Sequence, residues 1–233
     1  MIEAAAAQSK VRYIANAENF SKIPGSPVAY WASCQIIKDY ETGRTMEIYA
    51  PPKQGSTIGD NERFLRLWYE IQYNPNKWIP CLKGGDYRKW YGNHYYLIDW
   101  SNDGREIKST GRASIRNGKD LFKPGISWSR ITSHPSFRVM DKGYFFESAS
   151  GVCFPPKCRV EFTLGLLNSC VVQTFSEIVN PTLTLQSGDV ATIPVIEEMV
   201  ENTNEIVKVL VKSSKSDWDS YETSWDFKKH PLL

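Results

Sequence analysis

The sequence is poor in the residues that metal, nucleotide and acyl-transfer chemistry require. Of 233 residues only three are histidines, His94, His134 and His230. None stands near a cysteine or an acid at metal-ligand spacing. The five cysteines are an odd number at irregular spacings, which excludes a disulfide framework and fits reduced thiols in a cytoplasm. Cys153 and Cys158 form one close pair, but a structural zinc site takes four ligands. There is no Gly-x-x-x-x-Gly-Lys-Ser/Thr phosphate loop and no Gly-x-Ser-x-Gly nucleophile elbow. No apolar run reaches the ~18 residues of a membrane span. The opening stretch MIEAAAAQSKVRY lacks the apolar core of a signal peptide, so nothing points to export.

Charge and aromatic residues are what the chain does have. Lys+Arg number 28 against 26 Asp+Glu, and 30 aromatic residues need a core or a ligand to cover them. Residues 81–140 hold 11 Lys+Arg against 5 Asp+Glu, together with 9 of the aromatics, whereas residues 195–233 hold 5 against 8. Cations suit phosphates, and flat rings suit bases, so this block is a candidate nucleic-acid surface. A solvated basic face over an ordinary aromatic core gives the same composition.

Periodicity predicts strands at 28–32, 46–49, 94–100, 127–133, 137–140, 144–148 and 183–186. It predicts helices at 62–73, with Asp60 or Asn61 as cap, at 161–179 and at 196–212, with a further short helix within 216–227. The first ~20 residues read as a loose lead-in. A β-rich centre flanked by helices, without a βαβ alternation, is α+β, and the last helix serves as packing or as a spacer.

Six stretches in order resemble a known family. They are NFSKIPGSPVAYW from Asn19, GDNERFLRLWYE from Gly59, KGGDYRKWYGN from Lys83, GISWSRI from Gly125, GLLNS from Gly165 and NPTL from Asn180. Together they are similar to the C-terminal, target-recognition region of PglX-like BREX and type IIG adenine-specific DNA methyltransferases. The resemblance runs from about Phe20 to Phe227. It implies a lead-in over 1–20, a DNA target-recognition domain over 21–195 and a C-terminal helical segment over 196–233.

The resemblance further implies that double-stranded DNA, a methyltransferase catalytic domain and other phage-defence proteins are the partners. S-adenosylmethionine would be held by that separate catalytic domain, so this chain alone would carry no methyl transfer and no cofactor. The family's Asn/Asp-Pro-Pro-Tyr/Phe loop has no counterpart, because Pro51-Pro52 is flanked by Ala50 and Lys53, and Pro155-Pro156 by Phe154 and Lys157.

Flipping a base out of a duplex costs a few kcal/mol, which contacts from a second domain offset. Asn61, Arg88, Asn93, Arg112, Arg116 and Asn117 fall in predicted loops and are candidates for base edges. Lys83, Lys89, Lys119 and Lys123 are candidates for phosphate. Arg130 sits on the same side of a predicted strand as Trp128, as a stacked surface pair or as a packed core edge.

Two alternatives stay open. Asp99, Asp103, Glu106 and Lys108 have the makings of a Mg²⁺-dependent nuclease centre. The aromatics also suit a protein-interaction module of a defence complex.

Overall fold

The computed structural model describes residues 15–196 and 201–233. The fold is α+β, in three layers: helices, a four-stranded sheet and a second four-stranded sheet. A two-residue strand β1 (Arg44–Thr45) precedes β2 (Pro52–Gln54), β3 (Leu65–Leu67), β4 (Trp78–Leu82) and β5 (Tyr96–Asp99). β6 (Gly125–Ser129), β7 (Phe137–Met140), β8 (Phe145–Phe146), β9 (Ser150–Cys153) and β10 (Pro194–Val195) follow. The first sheet has the order β2-β9-β6-β7 and is antiparallel throughout. The second has the order β3-β5-β4-β8, with β4 and β8 parallel. Among the described residues β1 pairs only with β10.

Alternation along the first sheet sorts its side chains into two cores, because successive residues of a strand point to opposite faces. Ile126, Trp128, Phe137 and Cys153 enter the core shared with the helices, while Met140 and Val152 enter the core shared with the second sheet. Gly151 lies under the Trp128 indole, and a Cβ there would stand 2.1 Å from the ring. Burying each large side chain of this kind stabilises the fold by roughly 1.5–3 kcal/mol.

Helices α1 (Cys34–Thr42), α2 (Met46–Tyr49) and α3 (Asn61–Phe64) lie in the first third of the chain. The stretch α4 (Ser101–Ser109) opens on a left-handed turn at Asn102, Asp103 and Gly104, residue types that accept positive φ readily. Then come α5 (Val160–Leu167), α6 (Cys170–Val179), α7 (Ser187–Ala191) and α8 (Glu201–Trp218). α8 packs on α5, with Val207 and Thr203 against Gly165.

Several expected elements differ. The 161–179 helix is two helices, α5 and α6, bent by 70°. Ser169 caps α6, and the Asn168 amide turns aside to bond both backbone groups of Phe137 (3.0 and 2.9 Å), completing the edge of β7. The 62–73 helix stops at Phe64, because Leu65–Leu67 pairs with β5; sheet partners override helical spacing. Residues 46–49 form a helical turn, since Met46 is drawn fully into the core.

Among the described residues the 28–32 segment has no partner strand; it turns at Tyr30 and Trp31, with Val28, Tyr30 and Trp31 exposed. Of 183–186 only one bridge forms among the described residues, Ile131 to Thr184. The strands expected at 94–100 and 144–148 are shortened to β5 and β8, the one expected at 127–133 is shifted back to β6, and 137–140 is β7. The last helix runs on to Trp218, so 216–227 is a helix end followed by turns; Met199 and Val200 lie outside the described residues. β4 and β9 escape a period-2 reading because of Pro80 and Gly151 inside them. Among the described residues no single helix is long and apolar enough to cross a membrane.

Candidate nucleic-acid interface

One end of the first sheet gathers loops from distant parts of the chain. β2 ends there at Gln54, β9 begins at Ser150, β6 ends at Ser129 and β7 begins at Phe137. Gln54 stands opposite Gly151, and Gly151 opposite Trp128. Two strand spacings therefore separate Gln54 from Trp128, about 10 Å.

The loop after β2 is tied to the loop before β9 by Gly55 N–H to Ser150 O (3.1 Å) and Ser148 N–H to Ser56 O (2.9 Å). A third loop, 110–119, is laid against it. Thr57 and Ser114 exchange both backbone bonds, at 3.0 and 2.8 Å. The Ser56 hydroxyl accepts from Arg116 N–H at 2.9 Å. Gly59, at φ +86°, lets Arg112 approach so closely that a Cβ would lie 2.8 Å from the Arg112 carbonyl carbon.

This arrangement fixes the placement of the Arg112–Lys119 group. Arg116 is exposed and its Nη1 donates to Gln54 Oε1 at 2.7 Å, which orients the guanidinium. Asn117 holds the loop by donating Nδ2–H to Gln54 O at 2.8 Å, at a φ of 53°. Arg112 and Lys119 are exposed, with no side-chain partner among the described residues. Asn61 is exposed in the first turn of α3, whose cap is Asp60, accepting from Arg63 N–H at 3.0 Å. Lys123 pairs with Asp120 at 2.9 Å. Arg130 Nη1 donates to Ser148 O at 2.9 Å, so this arginine is engaged in closing the sheet end. Trp128 is fully buried and bonds Leu185 O, so Trp128 and Arg130 form no surface stack.

The Lys83–Asn93 loop is used differently. Arg88 lies over Trp218, donates Nε–H to Tyr91 O at 3.1 Å and pairs with Asp217. Lys89 Nζ donates to Asn168 O at 2.8 Å. Asn93 is 3% exposed, and its Nδ2 donates to Asp86 O at 2.9 Å. Lys83 stands 5.3 Å from the Tyr96 ring centre. Arg88 and Lys89 thus fasten the loop to α8 and to the α5–α6 junction, and Asn93 closes the loop on itself.

Beneath the loop lies a residue that composition did not single out. Arg138, 2% exposed, meets only neutral acceptors among the described residues, Arg88 O at 3.1 Å and Ser129 Oγ at 3.0 Å, with Ser136 Oγ at 3.5 Å. Burial pulls its pKa down to about 10, and Arg88 adds to the shift, which leaves it charged near neutrality. Gln54, the holder of both Arg116 and Asn117, also carries no signal in the sequence, since a lone glutamine after two prolines and a lysine marks nothing.

The nuclease constellation is not assembled. Asp99 bonds Ser101 and pairs with Lys77 at 3.2 Å. Glu106 pairs with Arg63 at 2.8 Å, and Lys108 with Asp103 at 2.6 Å. Among the described residues no three His, Cys, Asp or Glu side chains gather to hold a metal ion. The five cysteines are free thiols. Burial pushes the Cys153 thiol up to about 12, which makes it unreactive.

No family model matches the sequence. The chain is 36% identical over 239 residues to the adenine-specific methyltransferase PglX of Lacticaseibacillus casei (strain Zhang), covering 92% of the chain and 20% of that protein. It is 34% identical over 227 residues to the adenine-specific methyltransferase BrxX of Escherichia coli O9:H4 (strain HS), covering 92% of the chain and 18% of that protein. The chain spans about a fifth of the length of the curated relatives it matches.

Proposed function

We propose, on the premise that this is a PglX-like sequence corresponding to a limited stretch of adenine-specific methyltransferases, that the chain is their DNA target-recognition segment. The observation that carries this reading is the end of the first sheet. Loops 55–61 and 110–119 are knitted together there and hold out Arg112, Arg116 and Lys119, with Asn61 on the adjoining turn. Arg116, pre-oriented by Gln54, suits a bidentate contact to guanine, and Asn61 suits adenine. Arg112 and Lys119 suit phosphates. Arg88, Lys89 and Asn93 take no part, because their polar groups are committed within the fold.

S-adenosylmethionine and methyl transfer belong, on this reading, to another part of the relatives. Neither Pro-Pro pair fits the family's catalytic loop: Pro52 is buried in β2, and Pro156 leads into a short turn. The segment then works beside a catalytic domain in a phage-defence or restriction–modification system. Duplex binding followed at rising salt tests the reading. Affinity should fall steeply with salt, and an affinity indifferent to salt argues against it.

A second reading, a protein-interaction module, is favoured by a different surface. Trp68, Tyr73 and Trp225 form a contiguous aromatic group with ring centres 5.9–6.2 Å apart, and Tyr69 adjoins it. Exposed Trp and Tyr are typical interface anchors. A protein partner that duplex DNA fails to displace supports this module.

A further inference from the structure

We infer that the exposed aromatic group of Trp68, Tyr69, Tyr73 and Trp225 is a docking surface for a positively charged segment of another protein. The inference rests on the protein-interaction reading above and names the chemistry of its partner.

Two distant stretches build the surface. Residues 68–76 follow β3, and residues 216–226 run from the end of α8 into the turns after it. The Trp68 indole donates Nε1–H to Thr223 O at 2.9 Å and fastens one stretch to the other. Each is a fixed turn. Trp78 N–H bonds Asn74 O at 2.8 Å, and the buried Ser224 hydroxyl donates to Asp219 at 2.7 Å. Rings mounted on fixed turns lose little freedom when a partner covers them. Tyr69 and Tyr73 are more than half exposed, and Trp225 is 36% exposed.

Charge decides the partner. Residues 68–76 and 216–226 carry Glu70, Asp217, Asp219, Glu222 and Asp226 and no lysine or arginine. Flat rings alone would also take unstacked bases, but acids around them repel phosphate and draw in cations. The fold already joins cations to rings and acids twice here. Arg88 lies over Trp218 and pairs with Asp217, and Lys215 lies 4.8 Å from the Tyr91 ring centre and pairs with Asp219 and Asp226. The outer rings repeat the pattern without the cation. Among the described residues no lysine or arginine stands over Trp68, Tyr69, Tyr73 or Trp225, and Glu222 has no side-chain partner. A partner's arginine or lysine would complete it, drawn to the ring face by its quadrupole and to Glu222 by charge. The paired acids stay accessible as well, Asp217 with 59% and Asp226 with 64% of the side chain exposed.

The test is fluorescence anisotropy of the full chain with three labelled probes: a peptide of alternating glycine and arginine, the same peptide with glutamine for arginine, and a single-stranded oligothymidine. The arginine peptide should bind tightest. Tyr73→Ala and Trp225→Ala should each weaken it about tenfold, the worth of an aromatic anchor at an interface, and Glu222→Gln severalfold, with melting temperatures confirming folded protein. A glutamine peptide that binds as tightly, and is lost with the same substitutions, overturns the cationic partner and leaves the interaction reading standing. An arginine-peptide affinity untouched by Tyr73→Ala and Trp225→Ala overturns both. Oligothymidine binding that disappears in Tyr73→Ala also overturns both, since the rings would then serve nucleic acid.

Discussion

The Arg88 guanidinium lies 5.0 Å from the centre of the Trp218 ring and is held there by Asp217. The contact joins the most basic and aromatic loop of the chain to its last helix. Ser214 reinforces it, donating its hydroxyl to Lys89 O at 3.0 Å, and Lys215 stacks on Tyr91 while pairing with Asp219 and Asp226. One acid of the C-terminal part, Asp217, therefore neutralises a cation of the positive middle third within the fold, while Asp219 and Asp226 pair with Lys215 of the same helical segment.

Arg88 should accordingly matter for stability more than for DNA. Arg88→Ala removes the stack, the bond to Tyr91 O and the ion pair, and should cost about 1–3 kcal/mol in urea unfolding. Asp217→Ala leaves the stack in place and, being an exposed partner, should cost under about 1 kcal/mol. A large drop in duplex affinity for Arg88→Ala, with stability unchanged, would reverse this assignment.

Arg112→Ala, Arg116→Ala and Lys119→Ala should each weaken duplex binding without lowering the melting temperature appreciably. Removing one cation that neutralises a phosphate should reduce the slope of log affinity against log salt by about 0.9. The triple variant should bring the slope close to that of a chain with no cationic face. Slopes that match the unsubstituted chain would remove these residues from the interface.

His94 makes the fold sensitive to acid. It is buried between Tyr91 and Tyr144, at 4.8 and 5.0 Å, and beside Trp218. Burial lowers its pKa to about 3, assisted by Arg138 and Lys215 and opposed by Asp219 and Asp226. The unfolded chain takes up a proton near pH 6.5, so stability is full above that value and declines as pH falls toward 3, by about 1.4 kcal/mol per pH unit. His94→Phe keeps an aromatic ring there and should move the acid-unfolding midpoint to lower pH. An unmoved midpoint would show that other groups govern acid unfolding.

Gly151→Ala should be severely destabilising. The added methyl meets the Trp128 indole at 2.1 Å inside a sheet whose tryptophan is fully buried. Overpacking of this kind costs about 1–3 kcal/mol or more. Chemical denaturation reads the change, and a variant as stable as the parent chain would mean that the indole has another place to go.

The sequence by itself determined the α+β class, strand β7, a helix cap at Asp60 or Asn61 and the likeness to adenine-specific methyltransferases, because local periodicity, cap chemistry and ordered motifs are properties of neighbouring residues. Only the tertiary structure decided which cations remain available. Arg88 and Arg116 look alike among the loop arginines, yet one is packed against a helix over a hundred residues away and the other is held outward by Gln54. That difference comes from pairings between distant segments, and the same long-range competition turned an apparent helix after Phe64 into a strand and split another at Asn168. Hydrophobic spacing tells a segment which face to bury; the partner that covers it is set by the whole chain at once.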